Sequence, residues 1–173
     1  MRIAISGLSG CGNTSTSTAL AEMLGFPLIN FTFKNLAEEK GLSFDEMCKL
    51  AKEDDNVDRE LDNRQVAMAM QYENAILASR LAIWMLKDAD YKIFLEASDS
   101  VRAKRIQKRE GGTLEEQSAR TKRRDEEDHK RYLKIYSIDN SSYDFADLVI
   151  NTDNLTADEV ANEIYTYIKD NRR

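Results

Sequence analysis

Five short apolar segments alternate with longer, helix-like stretches, and this alternation constrains the fold more than any other feature of the sequence. The apolar segments span residues 2–6, 28–31, 75–79, 91–97 and 147–151. Parallel strands need a crossover connection of about a dozen residues or more, which is usually a helix. The pattern therefore predicts an α/β fold with helices on both faces of a parallel sheet and ligands at the carboxyl ends of the strands.

Several residues mark the ends of the helices between these segments. Gly25 and Pro27 predict the end of the first helix. Helix starts are predicted at Ser43, at Ser98 or Asp99, and at Thr156. At the first and last of these, a glutamate three residues later completes a capping box.

Length and charge exclude several classes of protein. The chain has 173 residues, which fits one domain, residues 1–173, because domains have roughly 150 residues. Its net charge is −6, and an acidic surface does not suit a nucleic-acid partner. No apolar run approaches the roughly 18 residues of a membrane span. We therefore expect neither nucleic acid nor a membrane as partner.

Cysteine and histidine are scarce. The chain contains Cys11, Cys48 and a single histidine, His129, without the close spacing of a ligand set. Zinc fingers and most histidine-based metal sites are thereby excluded. Free cysteines fit a reducing compartment, and no basic and then apolar leader follows Met1. We expect a cytoplasmic protein and a monomer, with a dimer as the alternative.

The segment after the first predicted strand has the pattern of a phosphate-binding loop. Residues 7–14 read Gly-Leu-Ser-Gly-Cys-Gly-Asn-Thr and open a helix. Glycines let backbone N–H groups close around phosphate oxygens, the helix N-terminus adds partial positive charge, and Thr14 can bind Mg²⁺. A plain tight turn is the alternative. The residues predicted to bind phosphates are Gly7, Gly10, Cys11, Gly12, Asn13, Thr14 and Ser15.

Two positions in this loop raise further questions. Asn13 stands where the pattern has lysine, so either another cation compensates or phosphoryl transfer is slow. Cys11 lies at a helix N-terminus, which lowers a thiol pKa, and a redox-sensitive loop is therefore an alternative to a plain loop residue.

Compensating cations are available in a basic segment. Residues 102–134 contain twelve Lys and Arg against seven Asp and Glu. Arg124, Asp128 and Arg131 are spaced four and three residues apart and share one helix face. They are either arginines held toward phosphates or an ordinary salt-bridge ladder, and their spacing alone does not decide between the two.

Several segments together resemble a known family. Besides the phosphate loop they are residues 33–41, 58–65, 80–85, 101–111, 124–132 and 147–152. In this order they resemble the cytidylate kinases of the nucleoside monophosphate kinase group, most closely the short archaeal-type branch. The resemblance covers almost the whole chain. It implies a three-layer P-loop NTPase fold whose five-stranded parallel sheet has the order 2-3-1-4-5.

The resemblance also implies roles for particular residues. ATP would bind the first loop with Mg²⁺ on Thr14, and a helical insert at about residues 32–73 would hold a nucleoside monophosphate. A short lid would lie at about residues 109–131. The residues implied in acceptor binding are Lys34, Asp62, Arg64 and Arg80. The residues implied to orient the acceptor and the transferred phosphate are Arg124, Asp128 and Arg131.

The expected activity is transfer of the γ-phosphoryl group of ATP to CMP or dCMP, giving ADP and CDP or dCDP. Besides Asn13, the chain departs from the family at Ala78 and Ser79, which replace a carboxylate and a glycine, and at residues 30–32, which replace a serine-rich turn. The alternatives are therefore a nucleotide-binding pseudokinase and a kinase for another small acceptor.

Overall fold

The computed structural model describes residues 1–172, which form five strands and eight helices. The strands are β1 (Arg2–Gly7), β2 (Leu28–Ile29), β3 (Ala75–Ala78), β4 (Tyr91–Glu96) and β5 (Leu148–Asn151). The helices are α1 (Asn13–Leu24), α2 (Phe33–Lys40), α3 (Phe44–Glu53), α4 (Asn56–Met70), α5 (Ala82–Met85), α6 (Asp99–Glu110), α7 (Leu114–Tyr136) and α8 (Ala157–Asp170). None of the helices within residues 1–172 is long and apolar enough to cross a bilayer.

The strands form one parallel sheet in the order β2-β3-β1-β4-β5, which confirms the order implied by the family resemblance. Strand β1 is central, and Ile5 is paired with Ala78 on β3 and with Ile93 on β4. The carboxyl ends of β1 and β3 therefore lie side by side. This register places the loop after Gly7 next to Ser79 and Arg80.

Apolar side chains fill both faces of the sheet, as the sequence predicts. One core cluster joins β1, β3 and β4 to helices α1 and α8, and its members include Ile5, Leu20, Ile76, Ile93 and Ile164. The cluster on the opposite face joins the sheet to α4 and α5, and its members include Ala4, Ala69, Leu77, Ile83 and Phe94.

Helices α2, α3 and α4 enclose a third, separate cluster. Its buried members are Leu36, Ala37, Met47, Ala51, Val57 and Leu61. These helices occupy residues 33–70, which nearly coincide with the predicted insert at about 32–73. Because the cluster has its own apolar core, the insert packs as a small unit beside the sheet, and its role in acceptor binding stays a prediction.

Most predicted helix boundaries are confirmed. Gly25 ends α1 in the left-handed conformation, and Ser43, Ser98 and Thr156 are N-caps whose side chains accept backbone hydrogen bonds. Of the predicted lid at about 109–131, only residues 111–113 lie outside α6 and α7.

Strand β2 is shorter than predicted, because it ends at Ile29 instead of residue 31. The carbonyl oxygen of Phe31 accepts a hydrogen bond from Gln65 Nε2 at 2.5 Å. Thr32 then caps α2, with Asn35 completing the capping box. Side-chain partners on α4 and in α2 thus satisfy this backbone, and the chain leaves the sheet early.

Candidate active site

The loop between β1 and α1 presents the geometry that phosphate binding requires. Gly12 is the N-cap of α1 with φ 90°, and no side chain caps the helix. The first α-helical hydrogen bond runs from Thr16 N–H to the Gly12 carbonyl oxygen, so the N–H groups that precede Thr16 in α1 are not used inside the helix. They face a cleft lined by Asn13, Thr14 and Ser15.

Gly10 is required by close packing beneath the loop. Its φ is 86°, and a Cβ at this position would lie 2.9 Å from the carbonyl oxygen of Arg102. Arg102 is itself buried and forms an ion pair with Asp125 of α7. A side chain at position 10 would therefore separate the loop from α6.

Asn13 is bonded to the backbone of the sheet. Its Nδ2 donates to the carbonyl oxygens of Ile5, at 3.3 Å, and Ser79, at 3.4 Å. Its Oδ1 accepts a hydrogen bond from Ser17 Oγ at 3.2 Å. The residue that replaces the expected lysine thus links the loop to the ends of β1 and β3.

Cys11 points away from the phosphate-binding face. Its side chain is 2% exposed and belongs to the core cluster shared with α1 and α8. Burial raises the pKa of the thiol, with the positive charge of Arg102 opposing the shift. The expected lowering of this pKa is therefore wrong, because burial of the thiol has the largest effect and raises the pKa.

A cleft of about 410 Å³ lies between the phosphate loop, α4 and α7. It brings together most of the side chains and glycines that the sequence predicts to be functional. Those that line it are Gly7, Gly10, Gly12, Asn13, Thr14, Ser15, Lys34, Asp62, Arg80, Arg124, Asp128 and Arg131. Cys11 and Arg64 are absent from its lining.

Four charged side chains alternate in sign along the wall of the cleft. Arg80 forms an ion pair with Asp128, which lies 3.3 Å from Arg131 Nη2 at its other oxygen. Arg131 Nη2 also donates to Asp58 Oδ1 at 3.0 Å. Since Asp58 and Asp128 are buried, these carboxylates hold the two guanidinium groups at defined positions.

Arg124 adds a third guanidinium to this wall. It lies one turn before Asp128 on α7 and lines the same cleft. Desolvation, followed by the nearby charge of Arg80, lowers the pKa of Arg124 to about 10. More than a third of the residue is exposed to solvent, which moderates the shift, and the group is positively charged at neutral pH. An ordinary salt-bridge ladder on the helix surface does not fully describe Arg124, Asp128 and Arg131, because all three line the cleft.

A second carboxylate of α4, Asp62, extends this wall. Asp62 is 7% exposed, and Tyr136 donates a hydrogen bond to its Oδ2 at 2.7 Å. Burial raises the pKa of Asp62 to about 6, although the hydrogen bond from Tyr136 acts in the opposite direction. Asp58 lies one helical turn away on the same face. The α4 end of the wall therefore carries two neighbouring carboxylates, of which Asp58 is paired with Arg131.

Arg64 is held outside the cleft. Its guanidinium forms two hydrogen bonds with Glu39 and lies 4.6 Å above the ring of Phe31. The structure does not bring it together with the other predicted acceptor-binding residues. Lys34, by contrast, is an exposed residue in the first turn of α2 and reaches the rim of the cleft.

Asp58, Arg109 and Phe44 are among the cleft-lining residues that the sequence analysis missed. Asp58 lies four residues before Asp62, and Arg109 lies four residues after Arg105, so helical spacing could have indicated both. Phe44 at the start of α3 is 46% exposed beside the cleft, and no sequence pattern distinguishes it from a packing residue.

A second cavity, of about 360 Å³, lies on the other side of the loop. Arg105 donates to the Gly10 carbonyl oxygen at 3.3 Å and to Thr152 Oγ1 at 2.9 Å. Gly10, Gly12, Ser15 and Arg109 line both cavities. The phosphate loop therefore lies between the two cavities and contributes lining residues to both.

The chain is similar to known kinases in sequence and in fold. Residues 2–154 match the model of the cytidylate kinase-like family. The chain belongs to this family. It is 44% identical to cytidylate kinase 2 of Borreliella afzelii, over 98% of this chain and 95% of that protein. It is 40% identical to the cytidylate kinase of Methanobrevibacter smithii, over 98% of this chain and 99% of the relative.

Membership of the cytidylate kinase-like family makes this protein a kinase, a phosphotransferase. A solved structure, the shikimate kinase of Bacteroides thetaiotaomicron, matches with a TM-score of 0.65 and 16% identity, over 98% of each chain. That similarity shows the fold alone and confirms the P-loop kinase architecture.

Proposed function

We propose that the protein transfers the γ-phosphoryl group of ATP to CMP or dCMP and releases ADP with CDP or dCDP. The observation that carries this proposal is the convergence of Arg80, Arg124 and Arg131 on one cleft with the phosphate loop. Three guanidinium groups beside free helix N–H groups suit two phosphate chains facing each other. The names of the similar cytidylate kinases support CMP as the acceptor.

The phosphate loop and the second cavity would bind the donor. Backbone N–H groups at the start of α1 would bind the phosphates of ATP. Its base and sugar would occupy the second cavity, where Arg105, Arg109 and Leu155 are among the lining residues. The γ-phosphoryl group would then point into the first cleft, because the loop separates the two cavities.

The acceptor phosphate would lie between Lys34 and Arg80. Its own oxygen attacks the γ-phosphorus, ADP leaves, and no covalent intermediate with the protein forms. The protein contributes alignment and charge: Arg124 and Arg131 would neutralise the transferred group, and Asp128 keeps Arg131 and Arg80 in place. In this proposal, Asn13 holds the loop beside β3 and the arginines replace the missing lysine charge.

The donor set of the cleft fits a Mg²⁺ ion bound mainly through phosphates. Thr14 has an exposed hydroxyl at the first turn of α1, and such a hydroxyl is a hard oxygen ligand of the kind Mg²⁺ prefers. Within residues 1–172, no three His, Cys, Asp or Glu side chains form a metal-binding group. Thr14 would hold the ion, which would supply positive charge that neutralises the phosphates.

Closure over the cleft is proposed for the connection between α6 and α7. Gly111 and Gly112 both have φ 79°, and residues 111–113 are exposed. Such a short glycine connection can change direction at little steric cost. Movement of Arg109 and the start of α7 would then exclude water during transfer.

An acceptor panel tests the proposal. Purified protein is supplied with ATP and Mg²⁺, and ADP release is measured with CMP, dCMP, UMP, AMP, GMP and shikimate. We expect CMP or dCMP to give the highest kcat/KM. A higher value with another acceptor would support the kinase for another small molecule, and absence of ADP with every acceptor would support the pseudokinase.

A further inference from the structure

A largely buried ion pair joins helices α6 and α7 beneath the phosphate loop. Arg102 of α6 is 1% exposed, and its Nη2 binds Oδ2 of Asp125 on α7. The Nε of Arg102 and the Oδ1 of Asp125 are buried and have no hydrogen-bond partner among residues 1–172. A buried ion pair with unused polar atoms adds little net stability, because lost hydration offsets the attraction between the charges. Stability alone therefore does not account for this pair.

Arg102 also supports the phosphate loop through its backbone. A Cβ at Gly10 would lie 2.9 Å from the carbonyl oxygen of Arg102 and 3.0 Å from its Cα. About one helical turn later on α6, Arg105 donates a hydrogen bond to the Gly10 carbonyl oxygen at 3.3 Å. Helix α6 is therefore packed directly against the loop, and Arg102 lies at the point of contact.

The three arginines proposed to bind phosphates differ in what holds them. Arg80 forms an ion pair with Asp128, and Arg131 forms ion pairs with Asp58 and Asp128. Arg124 forms no ion pair with a carboxylate of residues 1–172, although it lines the same cleft. The direction of its side chain therefore depends on how the backbone of α7 is placed.

Asp125 fixes that backbone directly beside Arg124. Successive residues of an α-helix project about 100° apart, so Asp125 can face α6 while Arg124 faces the cleft. Attachment of Asp125 to α6 prevents α7 from rotating about its own axis at this point. The ion pair thus determines where the guanidinium of Arg124 lies relative to the phosphate loop.

We infer that the Arg102–Asp125 ion pair positions Arg124 against the phosphate loop for phosphoryl transfer. This inference rests on the proposed function. Arg102 contacts Gly10 with its backbone and holds Asp125 with its side chain, so one residue connects the loop to α7. Arg102 and Asp125 are positioning residues, since neither lines the cleft.

Replacing both partners with apolar side chains separates position from stability. Arg102→Met combined with Asp125→Leu leaves no buried charge unpaired, so Tm should stay within about 3 °C of wild type. With ATP, Mg²⁺ and CMP, kcat should fall about 10- to 100-fold, the scale for a misplacement of about 1 Å. KM for each substrate should change less than about threefold, because the lost contribution is made in the transition state.

The same double substitution in an Arg124→Ala background tests whether the pair acts through Arg124. Once that guanidinium is absent, replacing the pair should lower kcat by less than about a further threefold, because the two effects are not independent. Asp125→Asn keeps the size of the side chain and removes its charge. It should show a smaller decrease in the wild-type background alone, and it takes the place of the double variant should that variant fail to fold.

Lys134→Met is the matched control. Lys134 also joins α7 to another helix, through an ion pair with Asp55 at 2.8 Å, and it does not line the cleft. Because this pair is exposed and far from the loop in the fold, its loss should change kcat by less than about twofold.

The contradictory outcomes are distinct. ADP formation by wild type with CMP, together with an unchanged kcat in the folded double variant, would overturn the inference and leave the proposed function intact. Equal decreases of kcat in the wild-type and Arg124→Ala backgrounds would also overturn it, because the pair would then act independently of Arg124. Absence of turnover by wild type with every acceptor would overturn the proposed function and this inference with it.

Discussion

The side-chain amide of Asn13 lies 3.4 Å from the carbonyl oxygen of Ser79 and joins the phosphate loop to the end of β3. A second hydrogen bond, to Ile5, ties the same amide to β1. Because Arg80 directly follows Ser79, this link sets the distance between the proposed donor and acceptor sites. The usual phosphate loop has a charged lysine at this position, whereas Asn13 forms hydrogen bonds that connect the loop to the sheet.

Replacing Asn13 with lysine should therefore change kcat by less than about tenfold, which corresponds to ~1.4 kcal/mol of barrier. The reason is that Arg80, Arg124 and Arg131 already supply positive charge in the cleft. The measurement is ADP release with ATP, Mg²⁺ and CMP at saturation. A rise of a hundredfold or more would show that the wild-type site lacks a cation.

Asn13→Ala should lower the free energy of unfolding by about 1 kcal/mol, because its hydrogen bonds to two strand ends are lost. In a chain of this size that corresponds to a decrease in Tm of roughly 2–4 °C. Asn162→Ala is the matched control, since its amide donates to the backbone carbonyl oxygen of Asp158 at 2.9 Å within the exposed face of α8. Equal effects of both substitutions would contradict the linking role of Asn13.

Arg124→Ala and Arg131→Ala should each lower kcat on the order of 10³-fold, the scale for an arginine that stabilises a transferred phosphoryl group. Arg123→Ala is the control, because Arg123 is exposed on the same helix and does not line the cleft. Steady-state kinetics with CMP distinguish the three variants. If kcat is unchanged in both Arg124→Ala and Arg131→Ala, the hypothesis that these arginines compensate for the missing lysine is wrong.

Arg80→Ala should weaken acceptor affinity by about 1.5–3 kcal/mol, as expected for loss of a charge-assisted hydrogen bond. Affinity for the donor should stay near the wild-type value, and Tm should fall because Asp128 loses one of its two cationic partners. Calorimetric titrations with CMP and with a nonhydrolysable ATP analogue separate these effects. An equal loss of affinity for CMP and for the ATP analogue would contradict the placement of the acceptor site at Arg80.

The buried carboxyl of Asp62 predicts a dependence of stability on pH. Its pKa is raised from 3.8 to about 6 by burial, so the folded protein keeps a proton that the unfolded chain releases. The contribution of Asp62 to the free energy of unfolding should therefore fall as pH rises from about 4 to about 6, by at most about 3 kcal/mol.

Asp62→Asn should remove this contribution and flatten the profile. Urea unfolding at pH 4.5 and pH 7.5 measures it, with the variant gaining stability over wild type mainly at the higher pH. Asp144→Asn, at an exposed position, is the control and should leave the profile unchanged. An equal pH dependence of stability in wild type and Asp62→Asn would contradict the raised pKa.

Local sequence signals predicted the scaffold well. Alternating apolar segments and helix caps depend on neighbouring residues, so the five strands and the N-caps Ser43, Ser98 and Thr156 are confirmed. The predicted end of β2 was wrong, because the chain at Phe31 bonds to Gln65, which lies 34 residues away in the sequence. Contacts between distant segments leave no such local pattern.

The parallel α/β fold, the phosphate loop and the helix face that carries Arg124, Asp128 and Arg131 follow from local sequence patterns. Which charged side chains meet depends on how the helices and strands pack together. This packing paired Arg131 with Asp58, turned the Cys11 thiol into the core, drew Arg64 to Glu39 and bonded Asn13 to the strand ends. The physical reason is that burial and ion pairing depend on which side chains the sheet order and helix packing bring within a few ångströms, and helical spacing specifies only the face on which each one lies.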